Sequence, residues 1–461
     1  MPDNGEDGLK VGWRLKVSGY GKIESAEIET APLTLFVGDN NSGKSYLMFL
    51  LWGIRNLGEE LLYADETMEI TETYDRLRCW VQKQVEAAME QGVHTILASE
   101  IGDELQIVLQ ERIKQNKDKF VKAIFNSSDV EIEEMQIELT GLADVPLEYR
   151  VQELVAGKMG VALGSMGNYG IGLLLSEKEK ATGILEEQTC RYFVNKLMTL
   201  VLNRDDIVLD SEIYLPAVRT GFMLTKDIIN KVSRRTTFNV VVEQETMVPF
   251  VRPINQFLDV INDLTFDGKS NEDFAEIVQY LESSMVDGTV EMSALPNKEA
   301  MYVPNGKMSG MPLRITSAVV TELSPLILIL KHKRNIGALF YEEPEMCLHP
   351  QLQQKMGRVL CKMVNAGVQM NVTTHSDIIL QHVNNMIRLS GREDREEICH
   401  QLGYAARDLL SPQKVKVYQL KAAAGGKTKV EELDCGENGF AVPTFNDALD
   451  RIMDEAYVIQ E

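Results

Sequence analysis

One stretch limits what this chain can become: Leu33 to Leu51, reading LTLFVGDNNSGKSYLMFLL. An apolar run from Leu33 to Val37 leads into Gly38, four residues, then Gly43, Lys44 and Ser45. That is the strand, G-x-x-x-x-G-K-[ST], helix order of a phosphate-binding loop. The loop, with Asp39, Asn40, Asn41 and Ser42 as its middle, must turn backbone N–H groups toward phosphate oxygens along a path that a Cβ at Gly38 or Gly43 would obstruct. The following helix offers its positive end, Lys44 a point charge, and Ser45 a hydroxyl for Mg²⁺. A glycine-rich turn could match the same letters by chance. Against that, Leu47, Met48, Leu50, Leu51, Ile54 and Leu57 give the next segment the wide apolar face the motif needs. The implied framework is α/β, and the implied ligand is ATP or GTP with Mg²⁺.

Composition narrows the setting. With 461 residues, 44% hydrophobic and 25% charged, the chain can build two or three packed units. No window approaches 18 uninterrupted apolar residues, and the polar start MPDNGEDGLK lacks a signal-peptide core, so the expectation is a cytoplasmic protein with no membrane span. Six scattered cysteines without C-x-x-C pairs suggest neither zinc nor a disulfide framework. A net charge of −22 argues against direct nucleic-acid binding, which depends on Lys and Arg neutralising phosphates.

Along the chain, Trp13 to Glu29 reads as an antiparallel hairpin leading into the nucleotide strand. Residues 1–60 are expected to form the first part of the head. A mainly helical insertion follows over 61–205, with helices at Tyr74 to Gln91, Glu104 to Phe125 and Glu187 to Leu202. Short strands are expected around Val130 to Leu139 and Tyr149 to Leu154, and a loop over the glycine-rich run Gly157 to Gly172. The head resumes over 206–400 with strands at Ile207 to Leu209 and Ile213 to Ala217. YLPAVRTGF (214–222) then reads as a break into a loop, followed by a helical insert over about 222–285 and a long apolar helix from Ala318 to Lys331. Residues 401–461 read as a strand and helix extension, its last helix presenting Phe445, Leu449, Ile452, Met453 and Tyr457.

The rest of the site is expected at two further strand ends. Ala338 to Tyr341 is an apolar strand running into Glu342 and Glu343; there one carboxylate can hold Mg²⁺ and the next can orient or deprotonate water. Glu342 is assigned to the metal with Ser45, and Glu343 to the water. The strand Val368 to Val372 leads into His375, a candidate contact for the γ-phosphate; alone, such a histidine would more often be structural. Lys44 and Glu342 stand 298 positions apart, so the core is split by a large insertion.

GDNNSGKS (38–45), YLPAVRTGF, ALFYEEPEMCLHPQLQ (338–353) and VTTHSD (372–377) together resemble ABC-type AAA ATPases of the group containing SMC, Rad50 and the overcoming-lysogenization-defect (OLD) nucleases. Within that group, the size, the YLPA strand and the pattern VKVYQL, VEELDCGENG, final helix are similar to the AriA-type ATPase component of PARIS anti-phage systems. The resemblance implies an ABC-type P-loop ATPase head, a mixed β-sheet with flanking helices. It also implies phosphate and Mg²⁺ contacts at Gly38, Gly43, Lys44 and Ser45, hydrolysis at Glu342 and Glu343, and a switch role for His375. Where Glu342 stands the family usually has Asp, so hydrolysis is expected to be slow. The signature reaching across a dimer is expected at Thr316 and Ser317, with Ser309 and Gly310 second.

As partners, the resemblance implies a homodimer with ATP sandwiched between heads, higher homo-oligomers, a separate TOPRIM-type nuclease effector (AriB-like) and a phage-encoded trigger protein. Only 86 residues follow His375, with no strand ending in a spaced D-x-D, so no nuclease activity is expected of the chain itself. The alternative is an SMC/Rad50-like repair ATPase acting directly on DNA. Sustained heptads, which such arms need, are missing from 61–205.

Overall fold

The computed structural model describes residues 12–62, 71–140, 146–155, 158–165, 168–182, 184–202, 211–226, 250–264, 271–293, 299–442 and 453–459. The chain divides into two packed units. One comprises Met1–Glu29, Gly53–Ala123 and Ser127–Leu209, the other Thr30–Trp52, Ile124–Asn126 and Asp210–Glu461. The first hairpin, expected with the phosphate loop, therefore groups with the insertion.

In chain order the elements begin with β1 (Gly12–Tyr20), β2 (Ile23–Glu29), β3 (Leu33–Gly38) and α1 (Lys44–Asn56). Next come α2 (Glu72–Gln91), β4 (Val93–Leu97), α3 (Gly102–Phe125), β5 (Ile132–Thr140), β6 (Pro146–Val155), β7 (Lys158–Ser165), β8 (Asn168–Leu174) and α4 (Glu187–Leu202). After β9 (Glu212–Leu215) and α5 (Arg252–Asp263) follow β10 (Gly288–Met292), β11 (Ala300–Pro304), β12 (Met311–Pro312) and α6 (Ala318–His332). The chain continues through β13 (Ala338–Glu342), α7 (Pro350–Asn365), β14 (Gln369–Thr374), α8 (Asp377–Ser390), β15 (Val415–Ala422) and β16 (Thr428–Leu433).

In the first unit β5, β1 and β2 form an antiparallel ribbon in which apolar residues meet directly, Leu15 against Ile137 and Val17 against Met135. Gln106 of α3 ties itself to β5, donating to Ile137 O at 2.8 Å and accepting from Leu139 N at 2.8 Å. A second antiparallel sheet runs β4-β6-β7-β8. Its last two strands correct the loop expected over Gly157 to Gly172. The glycines there serve close packing, since a Cβ on Gly160 would collide with Leu154 and with the carbonyl of Leu173.

In the second unit the strand order is β16-β15-β3-β14-β13-β9, parallel from β15 to β9 and antiparallel at β16. This mixed sheet is the α/β class the sequence implies. Fully buried strands such as β3 and β13 are what a parallel sheet covered on both faces requires. Leu33, Leu35, Val37, Leu339, Tyr341 and Val372 join one buried cluster with residues of α6, α7 and α8. On the opposite side of these strands aromatic pairs interlock: Phe36 stacks on Tyr418 at 5.7 Å, Tyr214 on Phe340 at 6.4 Å, and Phe49 of α1 lies 5.4 Å from Tyr214. β9 ends the strand order. Gln256 of α5 caps its backbone, accepting from Tyr214 N at 3.0 Å and donating to Glu212 O, so the edge is not left open.

Two further expectations change. The loop expected at YLPAVRTGF is a helix over 219–226, entered by a turn at Ala217 and Val218 just after Pro216. The C-terminal strand is not an appendage: β15 pairs in parallel with the phosphate-loop strand, Val415 opposite Leu33 and Leu420 opposite Gly38. Ile207 to Leu209, Phe445, Leu449 and Ile452 lie outside the described residues, and the described end of the last helix, including Met453 and Tyr457, is exposed.

Candidate nucleotide site

The parallel strands β3, β14 and β13 lie side by side, so their carboxyl ends bring together residues 38, 374 and 342 from distant parts of the sequence. In open α/β sheets this is where ligands bind. β3 stops at Gly38, whose φ of +149° belongs to glycine; a Cβ there would sit 2.6 Å from the carbonyl oxygen of Leu420 in β15. The chain then turns through Asn41 at φ +61° and Gly43 at φ +98°, and α1 begins at Lys44. Asp39, Asn40 and Asn41 are exposed at the loop tip, while Ser42 is buried.

Lys44 closes the loop on itself. Its ammonium donates to the carbonyls of Gly38 at 3.1 Å and Asp39 at 2.8 Å and reaches the Ser42 hydroxyl at 3.5 Å. Burial pulls the Lys44 pKa below its ordinary value, and the carboxylates of Glu343, Asp39, Glu345 and Glu342 resist that shift.

At the end of β13, Glu342 is buried, and one of its oxygens accepts from Ala217 N at 3.2 Å. Burial raises its pKa, countered by the hydroxyls of Ser45 and Tyr214 that face the carboxyl. Its other oxygen, Oε1, has no partner in full hydrogen-bond geometry among the described residues. A buried orphan carboxylate oxygen beside the loop serine fits a hydrated Mg²⁺, which takes hard oxygen ligands and keeps much of its water.

Glu343 follows at φ +41°, a left-handed conformation uncommon for a side chain of this size. Its N–H donates to Thr373 O at 2.9 Å and to Thr373 Oγ1 at 3.2 Å, and its carboxylate comes to 3.7 Å from Nε2 of His375. Burial, and then the nearby Lys44 charge, lower the His375 pKa, so the imidazole is neutral near pH 7. Glu345 holds the backbone there: its carboxylate accepts from Thr374 Oγ1 at 2.9 Å and from His375 N. Ser376 then caps α8, accepting from Ile379 N at 3.1 Å.

The structure thus gathers Asp39, Ser42, Lys44, Ser45, Glu342, Glu343 and His375 into one cluster. Thr316 and Ser317 are placed elsewhere, at the start of α6. Ser317 accepts from Val320 N at 3.4 Å as its N-cap, and Thr316 donates to Leu313 O at 2.8 Å; neither bonds to the cluster. Two residues carry weight that no role was assigned in the sequence. Glu345 is one. Arg219 is the other, fully buried and donating to the carbonyls of Pro216 at 2.7 Å, Glu342, and Glu343 at 3.0 Å. An arginine inside an apolar YLPAVRTGF run was the available signal.

Residues 251–380 match the AAA ATPase domain family (AAA_15). The matched segment holds Glu342, Glu343 and His375 and excludes the phosphate loop. No curated protein matches the chain. Among solved structures, the chain is similar to an SMC head bound to the C-winged helix domain of ScpA, at 13% identity and a TM-score of 0.36, covering 91% of this chain and 97% of that one. It is also similar to the SMC head domain from Thermotoga maritima, at 11% identity, a TM-score of 0.31 and coverage of 92% and 100%. A third is the SMC head domain with an extended coiled coil bound to the C-terminal domain of ScpA, from Pyrococcus furiosus, at 12% identity, a TM-score of 0.33 and coverage of 97% and 99%.

Proposed function

We propose that the chain is an ABC-type ATPase that binds ATP with Mg²⁺ and hydrolyses it slowly. The observation that carries this is the meeting of Lys44, Ser45, Glu342, Glu343 and His375 at adjoining strand ends. Backbone N–H groups of the loop and the start of α1 receive the phosphates, and Lys44 exchanges its carbonyl partners for phosphate oxygens. Ser45 and, through water, Glu342 would hold Mg²⁺, which neutralises charge on the β- and γ-phosphate oxygens. Glu343 orients the attacking water and accepts its proton, and the His375 imidazole, 3.7 Å from that carboxylate, donates a hydrogen bond to the γ-phosphate.

In its setting, the chain is proposed as the ATP-driven sensor and scaffold of a prokaryotic anti-phage system. It would assemble through ATP-sandwiched heads and hold a separate TOPRIM-type nuclease until a phage protein is sensed. The sequence resemblance to AriA-type ATPases supports this part. Purifying the chain with the products of its neighbouring genes, then measuring mass, ATP turnover and cleavage of DNA and RNA, tests both levels. A chain that neither binds nor hydrolyses ATP refutes the first. A chain that cuts nucleic acid without a partner, or stays monomeric with a slowly hydrolysed ATP analogue, refutes the second.

A further inference from the structure

We propose that Arg219 is a positioning residue for ATP hydrolysis, which fixes the backbone of Glu342 and Glu343 and makes their placement depend on α6. The proposal rests on the ATPase reading above. Arg219 has no solvent exposure, and its guanidinium spans four groups at once. Nη1 donates to Pro216 O at 2.7 Å and to Glu342 O, Nη2 donates to Glu343 O at 3.0 Å, and Nη2 also pairs with the Glu322 carboxylate of α6. The cation lies 4.7 Å from the centre of the Tyr341 ring, one residue ahead of the pair it holds. Glu322 is itself almost wholly buried and takes the Thr220 hydroxyl at 2.7 Å, so the acceptor is fixed from both sides.

Stability does not explain this arrangement. A buried Arg–Glu pair gives up two hydration shells, and apolar side chains of like volume commonly serve a core as well or better. The pair does have a geometric consequence. Glu343 sits at φ +41°, and such a conformation lasts only where its surroundings fix it. Thr373 fixes the N–H side of that residue, and Arg219 the carbonyl side. A planar fork holds two successive carbonyls and a carboxylate in one fixed geometry; a compact, rotatable ammonium in its place does not fix their relative positions in the same way. Glu322 stands little more than one turn inside α6, whose first turn begins at the Ser317 cap. A shift of that turn is therefore felt at the peptide carrying Glu343.

The test compares wild type with Arg219→Lys, Glu322→Gln and Thr220→Val. It reads the Kd for a slowly hydrolysed ATP analogue with Mg²⁺, and kcat per analogue-binding site. Arg219→Lys is expected to lower kcat at least tenfold while Kd changes less than threefold. Glu322→Gln should follow in the same direction, and Thr220→Val should lower kcat about threefold. Counting per binding site removes any loss from misfolded protein, and Thr220→Val and Glu322→Gln carry the same readout if Arg219→Lys does not fold. Variants that keep wild-type kcat per site overturn the positioning role and leave the ATPase reading intact. A wild-type chain without ATP turnover overturns both.

Discussion

Replacing Lys44 with methionine separates the charge from the fold. Lys44 is 6% exposed, and among the described residues its ammonium is hydrogen-bonded to two loop carbonyls and the Ser42 hydroxyl. Burial lowers its pKa, and the attraction of the Glu343, Asp39, Glu345 and Glu342 carboxylates only partly opposes that shift. Methionine keeps the stem's packing and removes both the contacts and the desolvation, so the ligand-free protein should change in stability by no more than about 1 kcal/mol. Bound ATP is different, because there the ammonium meets phosphate oxygens, and a charge-assisted contact of this kind is worth about 3 kcal/mol. At about 1.4 kcal/mol per decade this weakens ATP roughly 150-fold. Isothermal titration with a slowly hydrolysed analogue and Mg²⁺ gives the affinity, and a urea titration without ligand gives the stability. A Kd within threefold of wild type would refute the site. A large loss of ligand-free stability would refute the account of the ammonium.

Glu343→Gln should keep the analogue Kd within threefold and lower kcat by about 10²–10⁴, because an amide fills the position but accepts no proton; unchanged single-turnover hydrolysis would move the base elsewhere. Gly38→Ala should cost about 1–3 kcal/mol in urea unfolding, since its φ is +149° and the new Cβ meets the Leu420 carbonyl. Burial lowers the His382 pKa to about 4 from 6.5, with Asp408 opposing the shift and Arg358 adding to it. Between those values the unfolded chain holds a proton the fold does not, so stability falls as pH drops, by about 1.4 kcal/mol per unit and about 3 kcal/mol in all. His382→Gln should flatten that part of the urea-midpoint profile between pH 7 and pH 4.5; an equally steep fall in the variant would assign it to other groups.

The convergence of the Lys44 loop, Glu342, Glu343 and His375 was legible because each follows an apolar run, and three such runs in parallel place their ends together. Local signals failed where glycine or proline had a packing task. Gly160 lets Leu154 approach within a strand, and Pro216 and Gly221 bracket the start of a helix rather than a loop. Arg219 was hidden for another reason: its partners at Glu322, Glu342 and Glu343 lie more than a hundred positions away, and nothing adjacent to it shows that they converge. The strand character of Val415 to Leu420 was visible, but its neighbour was not, since parallel pairing leaves no turn between partners to read.

That pairing sets an order of events in the making of the protein. The phosphate loop leaves the ribosome well before Val415, and one flank of its strand is filled only by β15. At 5–20 residues per second, about 380 residues of synthesis hold that flank open for roughly 20–75 s. Throughout that interval Leu33 to Val37, wholly buried in the finished molecule, has an unpaired side able to capture another chain. A polypeptide released before Val415 would carry every residue of the nucleotide cluster and still lack the strand that passes beside Gly38. Translation thus withholds the completed loop until β15 has been made, and a product that stops before Val415 cannot present it in its finished form.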